Sequence, residues 1–158
     1  MRIEHRLGVA TPPYIIWEVL FDLAAWPQWT TIYPKAEGTI RFGGQLNLTL
    51  ALPGQAERAI TPTVFDWTPD ELIHWRESEV FGLSHSVRYL EIEKLSDTGC
   101  IFSNGEIFKG PLGLRLNRHR ARGLRQGYAA LGEAMKLRAE ALWAQRQAEA
   151  GVDIGTGD

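Results

Sequence analysis

Arg88 and Glu106 are the residues whose types and spacing could carry chemistry in this chain. Each sits in a stretch that alternates between two faces. Within 85–95, Arg88, Leu90 and Ile92 share one face against Tyr89, Glu91 and Glu93; within 100–109, Phe102, Asn104, Glu106 and Phe108 share one face. The apolar company turns Arg88 inward. If the turn at 96–99 is three residues plus a bulged glycine, Arg88 lies opposite Glu106, whereas a one-residue slip sends the two side chains to opposite faces. A guanidinium and a carboxylate removed from water together must pair, because either one alone is costly to bury. Two uses follow: a buried ion pair that satisfies itself, or a polar anchor on the floor of an apolar pocket that orients a ligand carbonyl, hydroxyl or carboxylate. Glu77 shares a face with Ile73 and Trp75, so an inward Trp75 brings Glu77 toward Glu106. Two carboxylates in one cavity could then have raised pKa values and serve acid–base catalysis; the plainer alternative is that Glu77 reaches solvent.

Other chemistries find less support. His5, His74, His85 and His119 lie on separate predicted elements with no ligand-like pairing, and the single cysteine, Cys100, excludes both an internal disulfide and a thiolate cluster. No metal is expected. Cys100 reads as a structural thiol on a strand. No glycine-rich loop opens a helix, since Gly43-Gly44 precedes a strand, so no nucleotide or other cofactor is expected. The formal charge of −2 gives no general pull toward nucleic acid. Arginines at 115, 118, 120, 122 and 125, with His119 among them, form a local basic cluster. Without interleaved aromatics or a nucleic-acid motif, it reads as a solvated outer face rather than a site for phosphate, lipid or RNA. The opening MRIEHRLGVA lacks the apolar core of a signal peptide, and no run is long enough for a membrane span. A cytoplasmic protein is expected.

The elements that must position these residues follow from periodicity. Residues 2–10 alternate as a first strand. Thr11 is placed to cap a helix over roughly 13–23, in which Ile15, Ile16, Val19, Leu20 and Leu23 recur at helical spacing. A second short helical piece begins at Ala24-Ala25-Trp26-Pro27 and must end before Pro34. Strands are then predicted at 36–42, 46–52, 59–67, 71–80, 85–95 and 100–109, with the alternation of Leu46, Leu48, Leu50 and Leu52 the clearest. Short spacers between them make an antiparallel meander. One long helix is expected from Pro111 to about Gln147, with Leu124, Tyr128, Leu131, Met135 and Leu142 along one stripe and Gly123, Gly127 and Gly132 thinning it. Those glycines predict either close packing on the sheet or space left for a ligand. Length and uninterrupted patterning give one domain over 1–150 and an irregular, disordered tail over 151–158.

A strand, two short helices, six strands and a long helix make an α+β order, and it resembles the helix-grip fold of the START-like superfamily, also called SRPBCC. The segment TPPYIIWEVLFDLAAWPQWTTIYP (11–34) is similar to that superfamily's opening, and Leu72-x-x-Trp75, Phe81-Gly82-Leu83, Gly99 and Glu106-x-Phe108-x-Gly110-Pro111-Leu112 are similar to its bacterial polyketide cyclase/dehydrase-like branch. Arg88 stands where that branch often carries a histidine, and His85 lies on the other strand face. The resemblance implies a curved antiparallel sheet of about seven strands gripping the terminal helix, around a cavity for a small hydrophobic, aromatic or lipid-like molecule. Its implied contacts are Trp29, Tyr33, Leu48, Leu50, Trp75, Arg88, Asn104, Glu106, Phe108, Leu124 and Tyr128. Three functions stay open: non-catalytic ligand binding, a cyclase/dehydratase-type reaction using Glu106, Arg88 and Glu77, and a protein-interaction module, with homodimer formation also open.

Overall fold

The structure, a computed structural model, describes residues 1–79, 84–110 and 118–155. In chain order the elements are β1 (Arg2–Val9), α1 (Pro13–Phe21), a 3-10 turn (Leu23–Ala25), α2 (Trp26–Trp29), β2 (Lys35–Gly38), β3 (Leu46–Leu50), β4 (Arg58–Ile60), β5 (Thr63–Thr68), β6 (Leu72–Glu79), β7 (Ser84–Ser96), β8 (Gly99–Lys109) and α3 (Arg118–Gly155). This is the expected α+β arrangement, with antiparallel strands and a long helix packed across them.

The strands form a five-stranded sheet in the order β1-β8-β7-β6-β5 and a three-stranded sheet in the order β2-β3-β4. The two meet where Gln45 bridges Thr63, and Leu46 N–H donates to the Pro62 carbonyl at 2.9 Å. The surface therefore curls from one sheet into the other. Eight strands are present among the described residues where about seven were expected, because the predicted strand 59–67 divides at Thr61-Pro62. Proline supplies no N–H to a ladder, so β4 stops before it. The strand predicted over 36–42 is confined to Lys35–Gly38, and Gly38 ends it at φ +126, a conformation open mainly to glycine.

Three local expectations change. Thr11 does not cap α1: Pro12 occupies the cap position, and the buried Thr11 hydroxyl has no partner among the described residues. The irregularity in the β7–β8 hairpin falls at Leu95, between the pairs Lys94–Cys100 and Ser96–Gly99, and not at the glycine. The tail expected from Gly151 is helical through Gly155. The predicted helix start at Pro111 and the Phe81-Gly82 turn lie outside the described residues, as do residues 156–158.

Helix α3 lies along β1 and packs against α1 and β8. Leu124, Tyr128, Leu131 and Met135 are buried along its inner stripe, and Leu142 is partly buried. The glycines answer the packing question in favour of close approach. A Cβ at Gly132 would stand 2.5 Å from His5 Nδ1, one at Gly127 2.7 Å from a Leu52 methyl, and one at Gly123 2.1 Å from Gln55 Nε2. Here glycine's helix penalty, about 1 kcal/mol relative to alanine, is accepted so that the helix can lie against the sheet and the loop after β3.

Candidate functional site

The inner face of β6, β7 and β8 carries the chemistry. Register sets Trp75 opposite Arg88 and Glu77 opposite Ser86, while Arg88 faces Glu106. The predicted Arg88–Glu106 register is therefore present, and both side chains are buried.

Although register partners, the two charges are satisfied by different groups. Arg88 Nε–H donates to the Tyr33 hydroxyl at 3.3 Å, Nη1 to the carbonyls of Tyr89 (3.0 Å) and Gly105 (2.9 Å), and Nη2 to Asn104 Oδ1 at 3.0 Å. Its guanidinium carbon lies 4.0 Å from the centre of the Tyr128 ring and 5.9 Å from that of Trp75. Glu106 instead accepts a hydrogen bond from the Tyr128 hydroxyl. Asn104 Nδ2 donates to the Tyr128 carbonyl at 3.1 Å, tying the same cluster to α3.

Burial sets the protonation states. It pushes the Tyr128 hydroxyl well above its ordinary pKa, and the Glu106 charge adds to that shift. Burial also raises Tyr33, with Arg88 partly opposing. For Arg88 burial works toward a lower pKa, but the oxygens of Tyr33, Tyr128 and Glu106 outweigh it and leave the pKa raised. Both phenols therefore keep their protons at neutral pH, and Tyr128 donates while Arg88 remains a cation.

Around this cluster Trp26, Tyr33 and Trp75 pack ring against ring, with centroids 5.3–6.4 Å apart. Tyr33 is buried in the interior. The interior opens at the other end of the site, where Leu50, Leu52, Leu124, Gln55, Arg58 and Arg120 surround a pocket of about 260 Å³ completed by Ala56. The loop between β3 and β4 closes one side of it. Gly54 takes φ +72, its carbonyl lies 3.2 Å from His119 Nε2, and Gln55 Nε2 donates to the carbonyls of His119 (3.4 Å) and Arg120 (3.5 Å). Glu77, at the inner end of this region, is ion-paired with Arg58 at 3.0 Å. Arg120 stands 6.0 Å from the Phe108 ring.

Of the residues expected to line a cavity, Leu50 and Leu124 border this pocket. Tyr33, Trp75, Arg88, Asn104, Glu106 and Tyr128 form the packed polar and aromatic cluster, and Leu48 and Phe108 are buried beside them in the core. Trp29 meets the cluster at its edge, with its ring centroid 6.2 Å from that of Trp26. It borders a pocket of about 130 Å³ with Val19, Ala25 and Leu142, on the side of α1. Sequence reasoning missed Gln55, Ala56 and Arg58, which sit in or beside a loop with no periodic signal. Arg120 was visible in the arginine cluster, but its neighbours Arg118, Arg122 and Arg125 point to solvent while it turns to the pocket. Arg115 lies outside the described residues.

A larger groove, about 830 Å³, runs over the outer face of the five-stranded sheet among Arg2, Glu4, Arg6, Glu91, Glu93 and Lys94. It is lined by ion pairs such as Arg6–Glu93 at 2.9 Å and is separated from the buried cluster by the sheet itself. The smaller pocket is the better candidate because it is bordered by α3 as well as by the strands, where the inner face of the sheet meets the helix.

No protein-family model matches the chain, and no curated protein matches it. Solved structures do. A START superfamily protein from Mycobacterium smegmatis aligns over 89% of this chain and 98% of its own, with TM-score 0.70 at 17% identity. An aromatase/cyclase from a Streptomyces species aligns over 89% and 93%, with TM-score 0.66 at 19% identity. Norcoclaurine synthase from Thalictrum flavum, in complex with dopamine and hydroxybenzaldehyde, aligns over 86% and 84%, with TM-score 0.63 at 17% identity. The chain thus has a START-like, or SRPBCC, helix-grip fold. Among the described residues no helix is long and apolar enough to cross a membrane.

Proposed function

We propose that this protein binds a small apolar or aromatic molecule at the seam between its curved sheet and α3, in the pocket bordered by Leu50, Leu52 and Leu124. The observation that carries the reading is this pocket's position. It is a concavity of about 260 Å³ between the sheet and α3, in which Leu50, Leu52, Ala56 and Leu124 stand together with Gln55, Arg58 and Arg120. Apolar walls with a few convergent polar groups are the usual composition of small-molecule sites. A helix-grip protein of similar fold, norcoclaurine synthase, holds the aromatic molecules dopamine and hydroxybenzaldehyde, which supports the choice of ligand class. Solvent extraction of the purified protein followed by mass spectrometry tests the reading. A stoichiometric apolar or aromatic compound is expected. Absence of any such compound, together with no uptake from a panel of aromatic probes, would overturn it.

One observation favours a second reading, a cyclase/dehydratase-type reaction. Tyr128 holds its hydroxyl proton against the Glu106 carboxylate, beside the Arg88 cation, and such a set could move a proton to or from a bound carbonyl compound. Glu77 would be a second carboxylate only if it left Arg58. Glu106→Gln separates the readings: a catalyst loses turnover of a bound carbonyl substrate by at least about a hundredfold, while a carrier retains its ligand.

A further inference from the structure

We infer that the ligand carries a hydrogen-bond donor on its apolar body, a hydroxyl or an N–H, and that Gln55 Oε1 receives it. The inference rests on the binding reading above and adds the group by which the pocket tells one apolar molecule from another. The side chains of the bordering leucines and of Ala56 offer only carbon. The guanidiniums of Arg58 and Arg120 are donors, and whatever else they touch they cannot accept a hydrogen bond. Among the described residues, Gln55 alone borders the pocket with a side-chain acceptor.

Contacts with α3 decide which way the Gln55 amide points. Its Nε2 donates to the carbonyls of His119 at 3.4 Å and Arg120 at 3.5 Å, and it lies so near the helix that a Cβ at Gly123 would stand 2.1 Å from it. A reversed amide would set its oxygen against those two carbonyl oxygens, so the hydrogen bonds fix the assignment of the two atoms. Oε1 is left on the side of the amide turned away from the helix carbonyls. Gln55 is half-buried, and its Oε1 has no hydrogen-bond partner among the described residues.

The backbone acceptors beside it are already engaged. The Leu52 carbonyl accepts the Gln55 N–H at 3.1 Å, and the Gly54 carbonyl lies 3.2 Å from His119 Nε2. A ligand hydroxyl or N–H that enters among the leucines therefore has Oε1 as its acceptor, and without it the donor would be desolvated uncompensated. A body that lacks a donor fills the same space but forfeits the bond.

The test uses 2-naphthol and 2-methoxynaphthalene, titrated calorimetrically into the full-length protein. Both carry the same rings and an oxygen that can accept, but only the naphthol donates; indole and 1-methylindole repeat the comparison with an N–H. In each pair the donor is expected to bind about three- to tenfold more tightly, the size of one net neutral hydrogen bond. Gln55→Met keeps the side chain's length and removes the acceptor, so it should weaken 2-naphthol to the level of its methyl ether and leave the ether within about twofold. A methyl group disfavoured for its size alone would keep its disadvantage in Gln55→Met, and a Gln55 that only fastens the loop would weaken both probes equally; either result overturns the inference. Gln55→Lys, which can still donate to the helix carbonyls but cannot accept, takes the place of Gln55→Met if thermal unfolding finds that variant unfolded. Ala56→Trp, which fills the pocket from its exposed loop side, should abolish binding of every probe. Equal affinities within each pair in the unmodified protein would overturn the donor inference and leave the binding reading standing. Binding that survives Ala56→Trp would place the site elsewhere and overturn it as well. If no probe binds, the binding reading fails first and the donor inference falls with it.

Discussion

Asn104 on β8 donates its Nδ2–H to the backbone carbonyl of Tyr128 on α3 at 3.1 Å. Its other amide atom, Oδ1, accepts from Arg88 at 3.0 Å, so a single fully buried side chain joins the helix, β8 and β7. Arg88 extends the link to Tyr33, in the segment after α2. The grip of sheet on helix is thus fixed in register by polar bonds and not by apolar packing alone, because each unsatisfied buried group would be costly.

Removing the centre of that network should be severe. Arg88→Met keeps much of the side-chain volume but strips donors from Tyr33, Asn104 and the carbonyls of Tyr89 and Gly105. A loss of about 3–5 kcal/mol is expected in urea unfolding, the range for breaking a buried charged network by deleting one partner. A loss below about 1 kcal/mol would mean that the network contributes little.

Glu106 and Tyr128 should behave asymmetrically. Glu106→Gln leaves the Tyr128 hydroxyl an amide oxygen to donate to, whereas Tyr128→Phe leaves a buried carboxylate without its donor. Tyr128→Phe is expected to cost about 1–3 kcal/mol and Glu106→Gln less. If Glu106 also anchors ligand, Glu106→Gln weakens binding measurably in calorimetry. Unchanged binding with only a stability loss would leave Glu106 a structural residue.

Close approach at Gly132 gives a sign opposite to helix propensity. Alanine is about 1 kcal/mol better than glycine inside a helix, yet a Cβ at 132 would stand 2.5 Å from His5 Nδ1. Gly132→Ala should therefore lower the thermal midpoint, by an amount matching about 1–3 kcal/mol of overpacking. His5→Ala in the same chain should recover most of it. Gly151→Ala, where nothing lies within 4 Å, should be neutral or stabilising.

Acid should loosen the junction between α3 and the start of α1. Lys136, first, and the Ala10 backbone N–H hold Glu140 below the usual carboxylate pKa, at 2.7 and 3.0 Å. A carboxyl lowered on folding contributes stability above its unfolded pKa and loses it as pH falls through the folded value. The stability gap between the unmodified protein and Glu140→Gln should thus be present near about pH 6 and shrink toward about pH 3. Urea midpoints across that range check it; a constant gap would contradict it.

Much of the fold was legible because its signals are local and periodic. The alternation in β3, the α1 pattern and the buried stripe of α3 each report a face directly. The Arg88–Glu106 register was legible only conditionally. It depended on an irregularity in the β7–β8 hairpin, and the one at Leu95 yields the same pairing as the glycine bulge expected. What alternation could not reveal was how a buried arginine is satisfied: its acceptors are backbone carbonyls, an asparagine and a tyrosine from three separate segments. The pocket mouth was illegible for a related reason. Gln55, Ala56 and Arg58 owe their place to a loop tied to α3, and Arg120 differs from the exposed arginines beside it only by its angle around the helix.

The most direct test of the pocket is native mass spectrometry of the unmodified protein beside Ala56→Trp, both purified identically and both checked for folding by thermal unfolding. The unmodified protein should carry a bound mass of an apolar or aromatic molecule, and Ala56→Trp should fly without it. An equal bound mass on both proteins, or none on either even after incubation with aromatic probes, would contradict a ligand site between the sheet and α3.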